Sequence, residues 1–197
     1  LAARGLTLLE GVLSWAGGLA LILVASFSTL LMLGREIHRE APPVPTAVVS
    51  SDGTVLYTKD DIQKGRQVYQ SMGGQQVGSI WGHGAYLAPD WSADWLHREA
   101  VTLLDIWAMR EYGQPAFADL SASRQGALKE RLKTEMRTNS YIADTDEIVV
   151  SVDRAEAIRR VAAHYVDLFG DAAALEGLRE DYAIPNGAIP DPERRHM

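Results

Sequence analysis

The sequence predicts a mainly α-helical protein in which one transmembrane helix precedes a helical domain carrying a small β-hairpin. Three observations predict this fold class. Gly11 to Leu33 is an uncharged, largely apolar run of 23 residues, long enough for a membrane span. Beyond residue 90, apolar side chains recur at helical spacing between Ser or Asp starts and Gly stops. The strand-prone runs are short, and no alternation of strands and helices announces a βαβ architecture.

Composition bounds the function before any motif is read. A chain of 197 residues with 47% apolar content can hold an anchor and fill the core of one ordinary domain. Its net charge is −7, with acidic and basic residues interspersed. It therefore offers no broad cationic field for a phosphate backbone, and nucleic acid is not an expected partner. Cysteine is absent. That removes disulfides, thiolate nucleophiles, Cys-based zinc sites, iron–sulfur clusters and thioether-linked haem together.

At about 1.5 Å per residue, the apolar run reaches roughly 34 Å, enough to cross a hydrocarbon core of about 30 Å with some tilt. It passes directly into Gly34, Arg35 and Glu36 without a small-residue cleavage pattern, so a retained helix is expected rather than a signal peptide. Arg4 precedes it while Arg35 and Arg39 follow it, and this charge bias leans toward a cytoplasmic location for what comes next.

Ala41 to Thr46, reading APPVPT, is a stiff extended spacer, because each proline fixes φ and restricts its predecessor. The expected organisation is an anchor with flanks at 1–40, a domain at 41–190 and a connection at 191–197. Ala47 to Ser50 and Thr54 to Thr58 flank Ser51-Asp52-Gly53, a hairpin pattern. Thr58 with Asp61 resembles a capping box opening a helix through Met72, with Ile62, Val68 and Tyr69 on its buried face and Gly73 and Gly74 as its stop.

Helical patterns resume after a glycine-rich loop. Ser92 caps a helix to about Tyr112, with Trp95, Leu96, Leu103, Ile106 and Trp107 on one side and Gly113 at its end. Ser121 caps another, in which Leu128, Leu132 and Met136 are spaced by four. Glu147 to Val152 is a strand candidate. Asp153 with Glu156 forms a capping box for a helix whose apolar stripe is Ile158, Val161, Ala162, Tyr165 and Phe169, closed by Gly170. A short helix over Asp171 to Glu180 completes the pattern.

The loop from Gly73 to Pro89 fails the familiar ligand motifs. Gly73 and Gly78 have the outer spacing of a P-loop, but Ser79 stands where its lysine belongs. Gly82 and Gly84 begin a dinucleotide fingerprint that Leu87 breaks. Its glycines favour a conformational and packing role over ligand binding. His38, His83, His97 and His164 show no metal-ligand spacing. The tryptophans at 81, 91, 95 and 107 favour core or interface, and no carboxylate pair is recognisable as an acid and base. Arg124, Lys129, Arg131, Lys133 and Arg137 alternate with apolar positions as a solvated helix face does.

Several segments together carry a family resemblance: Gly34-Arg35-Glu36-Ile37 after the anchor, Ala41-Pro42-Pro43-x-Pro45, Gly65-Arg66-Gln67-Val68-Tyr69-Gln70, and Gly82-His83-Gly84-Ala85-Tyr86-x-Ala88-Pro89-Asp90-Trp91. In this order they resemble the amino-terminal region of quinol-dependent nitric oxide reductases, over nearly the whole chain and most specifically from Gly65 to Glu99. The same stretch resembles the cytochrome c subunit of the cytochrome-dependent reductases. There a C-x-x-C-H motif holds haem c, whereas here its cysteine positions are Gly74 and Val77 and its histidine position is Gly78.

The resemblance implies a cytochrome-c-like domain without covalent haem, on the periplasmic side of the bacterial inner membrane, opposite to the charge bias. It implies a catalytic membrane region, carrying two b haems and a non-haem iron and served by quinol, as the partner. It also implies calcium at the junction with that region, held in part by the Gly84 carbonyl and the Tyr86 hydroxyl, since calcium takes about six to eight oxygen ligands. Trp81, Trp91 and Trp95 are expected to supply packing or interface surface around the lost haem region. Because the chain runs from Leu1 to Met197 without those metal-ligating histidines, it is expected to be a piece of a larger assembly and inactive alone. The alternative is a free-standing, membrane-tethered binding or assembly module that docks a separate catalytic subunit.

Overall fold

The computed structural model describes residues 2–40, 44–84 and 89–196, and side-chain surroundings for 15–40, 44–82 and 89–196. The chain divides into two compact units, 1–44 and 45–197. The first is one helix, α1 (Ala2–Arg39), whose segment Trp15–Arg39 is long and apolar enough to cross a membrane. Its apolar side chains, including Leu21, Phe27 and Leu31, are exposed, as a lipid-facing surface requires. Ala41, Pro42 and Pro43 of the spacer lie outside the described residues.

The second unit opens with β1 (Ala47–Ser50) and β2 (Val55–Thr58), an antiparallel pair turned by Gly53 at φ 88°. Thr58 then caps α2 (Lys59–Ser71), and the capping box with Asp61 is complete in both directions. Gly73, at φ 72°, ends this helix, a conformation that glycine adopts without a steric penalty. The next residues do not remain a plain loop. They form the single-turn α3 (Gly74–Val77) and a two-stranded ribbon of β3 (Ser79–Ile80) and β4 (His83–Gly84).

The long helix α4 (Trp91–Tyr112) ends at Gly113 as its sequence requires, but its start differs from the expectation. Asp90, two residues before Ser92, is the cap, with its carboxylate accepting from the Ala93 amide. Helix α5 (Ala122–Arg137) begins after Ser121, whose side chain makes no capping hydrogen bond. The Gln125 amide instead donates to the Leu120 carbonyl just ahead of the helix. Helix α6 (Val152–Leu168) is capped by Ser151 rather than by an Asp153 box, because Asp153 is committed across the domain. The C-terminal region adds α7 (Glu176–Asp181) and α8 (Pro192–Arg195). Arg179, only 2% exposed, fixes this region by donating to Asn186 and to the Ala172 carbonyl.

The hairpin belongs to a larger sheet than the sequence suggests. Two further strands, β5 (Tyr141–Ile142) and β6 (Glu147–Val150), complete a four-stranded sheet ordered β2-β1-β6-β5. Strand β6 pairs in parallel with β1 from Ala47 opposite Glu147 to Ser50 opposite Val150. This sheet closes the domain around its helices by joining segments about a hundred residues apart.

The core lies where α4 crosses α5 and α6. Leu103, Leu104, Ile106, Trp107 and Ala108 of α4 pack with Leu128 of α5 and Ala157 of α6. Trp107 is 1% exposed and donates its indole N–H to Asp153 at 2.7 Å. That carboxylate also pairs with Arg110. Arg131 lies 4.0 Å over the Trp107 ring and pairs with Glu111 and Asp153. The α5 cations therefore do not form a simple solvated face, since Arg124 and Lys129 likewise lie over Tyr112 and Phe117.

Replacing Asp153 with Ala leaves a buried indole N–H and the Arg110 guanidinium without this acceptor. Urea unfolding of the detergent-solubilised chain should show a stability loss of roughly 1–3 kcal/mol. A change below about 0.5 kcal/mol, the range of ordinary surface substitutions, would remove Asp153 from the account of the core.

Candidate functional site: a glycine and aromatic contact region and an adjoining cavity

The segment after α2 folds back so that two glycines meet aromatic side chains. A Cβ on Gly74 would run into the Tyr69 ring, and one on Gly78 would run into the indole of Trp91. Tyr69 also donates its hydroxyl to the Gly78 carbonyl at 3.3 Å. These contacts make glycine a packing requirement at both positions. The positions that the resemblance aligns with a C-x-x-C-H motif carry no thiol, and Gly78 has no room for a side chain.

Asp90 holds the ribbon against the start of α4. One carboxylate oxygen accepts from the Ala93 amide at 3.0 Å, while the other accepts from the Gly82 amide at 2.6 Å and the Ser79 hydroxyl at 2.8 Å. Hydrogen bonds from Ala93, Gly82 and Ser79 hold the Asp90 carboxyl below its usual range. Ser92, freed from capping, accepts from the Trp81 amide at 3.1 Å. Trp81 itself sits at φ 52°, a conformation that costs a non-glycine residue about 1–2 kcal/mol. Its side chain is 75% exposed, so it stands outside the core while Trp91 and Trp95 pack inward.

Trp91 meets Tyr165, Phe169 and Tyr182 edge-on, with ring centroids 5.4 to 6.1 Å apart. Trp95 stacks on Tyr165 at 5.4 Å and donates its indole N–H to Glu99. Glu99 is 2% exposed and receives Arg154 at 2.7 Å, an ion pair that satisfies the buried carboxylate. Asp94 accepts from Tyr165 at 2.6 Å, Tyr182 at 3.3 Å and Arg98 at 2.7 Å. Burial alone would raise the Asp94 pKa, but these donors and the Arg98 charge outweigh it and hold the carboxyl low. Burial, reinforced by Asp94, pushes the Tyr165 phenol upward.

Beside this aromatic cluster lies a cavity of about 540 Å³. Leu56 and Tyr57 of β2, Trp95 of α4, and Tyr165 and Phe169 of α6 form apolar walls, with Arg159 and Arg195 also lining it. Arg195 enters this lining because the C-terminal segment packs on α6, where its guanidinium lies against Gly170. A second pocket of about 260 Å³ brings His97 and His164 together with Arg98 and Arg160. Burial, aided by Arg98, lowers the His164 pKa. Among the described residues, no group of three or more potential His or carboxylate ligands forms a metal cluster.

Of the two residues implied for calcium, Gly84 lies in β4 opposite Ser79, and Tyr86 lies outside the described residues. The structure therefore describes only Gly84 of this pair.

The sequence matches the family model for the cytochrome c-like domain of the nitric oxide reductase NorB chain, over residues 45–197. This chain belongs to that family. The matched region coincides with the second compact unit, so membership in the NorB cytochrome c-like family covers the entire sheet, aromatic cluster and cavity. Family membership and the long apolar helix together support membrane association. No curated protein matches the chain.

The low Asp90 pKa gives a signed pH prediction. Its ionised form contributes stability fully above the ordinary carboxyl value of about 3.9, and that contribution is lost as pH falls through the lower folded-state value. Acid unfolding of wild type and Asp90→Asn should therefore be separated above about pH 4 and converge as pH falls through the lowered folded-state value. Parallel stability curves throughout this window would contradict the assignment.

Proposed function

We propose that this chain is the anchoring, haem-free, cytochrome-c-like domain of a quinol-dependent nitric oxide reductase. Family membership over residues 45–197 carries the proposal, supported by the absence of cysteine and the tight packing of Gly74 and Gly78. A domain unable to attach haem c offers no thioether-bound relay for electrons, so quinol delivery directly to the catalytic membrane region is the consistent route. There the overall reaction converts two NO and quinol into N2O, water and quinone. The two electrons and two protons released by quinol balance it.

In this reading α1 crosses the bacterial inner membrane and the domain faces the periplasm. The catalytic membrane region, in the same polypeptide or in a separate one, holds two b haems and a non-haem iron. This domain covers that region, and the exposed Trp81 beside β4 provides apolar contact surface. Gly84 and Tyr86 contribute oxygen ligands to calcium at the junction.

The reaction requires a redox metal centre, and the proposed role of this chain is architectural. In spheroplasts containing the intact assembly, quinol should drive conversion of NO to N2O, and externally added protease should reach the domain. The purified 197-residue chain should produce no N2O with the same donor. Quinol-dependent N2O formation by that chain, free of other reductases, would overturn the non-catalytic role, while protease protection in intact spheroplasts would overturn the orientation.

A further inference from the structure

Arg179 is a buried cation with only neutral partners. Its side chain is 2% exposed, yet it belongs to none of the ion pairs among the described residues. Its Nε donates to the side-chain oxygen of Asn186 at 2.7 Å, and its two terminal nitrogens donate to the Ala172 carbonyl at 2.8 Å and the Asp167 carbonyl at 3.4 Å. These bonds satisfy the donors but leave the charge without a counter-ion, a costly arrangement away from water. A carboxylate in place of the Asn186 amide would supply that counter-ion through the same oxygen.

The sequence contains a chemical route to this carboxylate. Asn186 is exposed and is followed by Gly187. Having no Cβ, glycine lets its own amide nitrogen approach the preceding side chain closely. Attack of the deprotonated Gly187 nitrogen on the Asn186 Cγ forms a cyclic imide and expels ammonia. Water then opens the ring, giving aspartate if it cleaves at the side-chain carbonyl and isoaspartate if it cleaves at the main-chain carbonyl. One water is consumed, one ammonia is released and nothing is oxidised or reduced.

The fold holds the nucleophile back. The Gly187 N–H donates to the Gly170 carbonyl at 2.8 Å with its φ at 61°, and it sits inside a turn closed by Ala188 donating to Pro185 at 3.1 Å. Ile189 then donates to the Phe169 carbonyl at 3.0 Å, so the segment is fastened to the end of α6 on both sides of the turn. An amide in this state keeps its proton and its place, and attack on Cγ requires the segment to open locally.

We propose that Asn186 is a deamidation site gated by opening of the segment around residues 185–189, and that the aspartate it yields becomes the counter-ion of Arg179. Once the segment closes again, the new ion pair holds it more firmly than the amide did. Isoaspartate lengthens the main chain within the turn and does not restore this contact. The site goes beyond the architectural reading and does not depend on which catalytic region the domain joins.

The full chain would be incubated in mildly alkaline solution, either folded in detergent or unfolded in guanidinium chloride. Mass spectrometry of the tryptic peptides Glu180–Arg194 and Thr138–Arg154 would read deamidation at each asparagine. Asn139 is the internal control, because it precedes Ser140, whose Cβ hinders the same attack. In the unfolded chain Asn186 should react at least fivefold faster than Asn139, and folding should slow Asn186 at least tenfold. Asn186→Asp, which places the product at this position directly, should raise the domain's Tm by about 2–4 °C, and the gain should vanish in an Arg179→Met background. Equal rates at the two asparagines when unfolded, equal rates at Asn186 in the folded and unfolded chains, a Tm unchanged or lowered by Asn186→Asp, or a gain that persists without Arg179 would overturn the proposal. Asn186→Asp differs from the wild type in one terminal group, so its Tm remains decisive if Arg179→Met fails to fold.

Discussion

The crossing of α4 and α6 is the constraint on which the rest of the domain depends. It combines a dry apolar centre with polar contacts whose partners are distant in sequence. Asp94 meets Tyr165, and Arg110 meets Glu156, while Glu99 is paired with Arg154. The buried members of these contacts cannot be separated cheaply, because a carboxylate or indole N–H removed from both water and partner loses its solvation without replacement. The crossing therefore fixes the relative placement of Trp91, Trp95, Tyr165 and Phe169. Those four rings in turn form much of the cavity wall, and Trp91 also packs against Gly78.

The chain belongs to the NorB cytochrome c-like family. Within its domain Tyr69 packs at close range against Gly74 and Trp91 against Gly78. The consequence is reciprocal. The glycines let the aromatics in, and the aromatics keep larger residues out.

Local chemistry was readable from the sequence wherever the partners were neighbours. The Asp52-Gly53 turn, the Thr58 and Asp61 capping box, the stop at Gly113, the apolar face of α6 and that of α4 apart from the exposed Leu96 all follow from spacing of a few residues. Features made by distant partners were not. Asp90 outcompetes Ser92 as the α4 cap because the same carboxylate also holds Gly82 and Ser79. Asp153 is drawn away from capping by Trp107 and two arginines. The parallel pairing of β1 with β6 gave no periodic signal, since each strand is only four residues long. Arg131 reads as solvated from its own helix and is identified as a ring contact only when Trp107 is placed beneath it. The absence of cysteine was visible in the sequence, whereas the packing of Tyr69 on Gly74 and Trp91 on Gly78 was not.

A double-mutant cycle between Gly78→Ala and Trp91→Leu tests the central claim most directly, because it asks whether the indole itself excludes a side chain at position 78. Stability would be measured by urea unfolding of the detergent-solubilised chain for the wild type, both single variants and the double variant. Gly78→Ala should be substantially destabilising with Trp91 present and much less so in the Trp91→Leu background, giving a coupling of about 1–3 kcal/mol, within the range for residues in contact. Additivity within about 0.5 kcal/mol would show that Trp91 does not fill the space at Gly78.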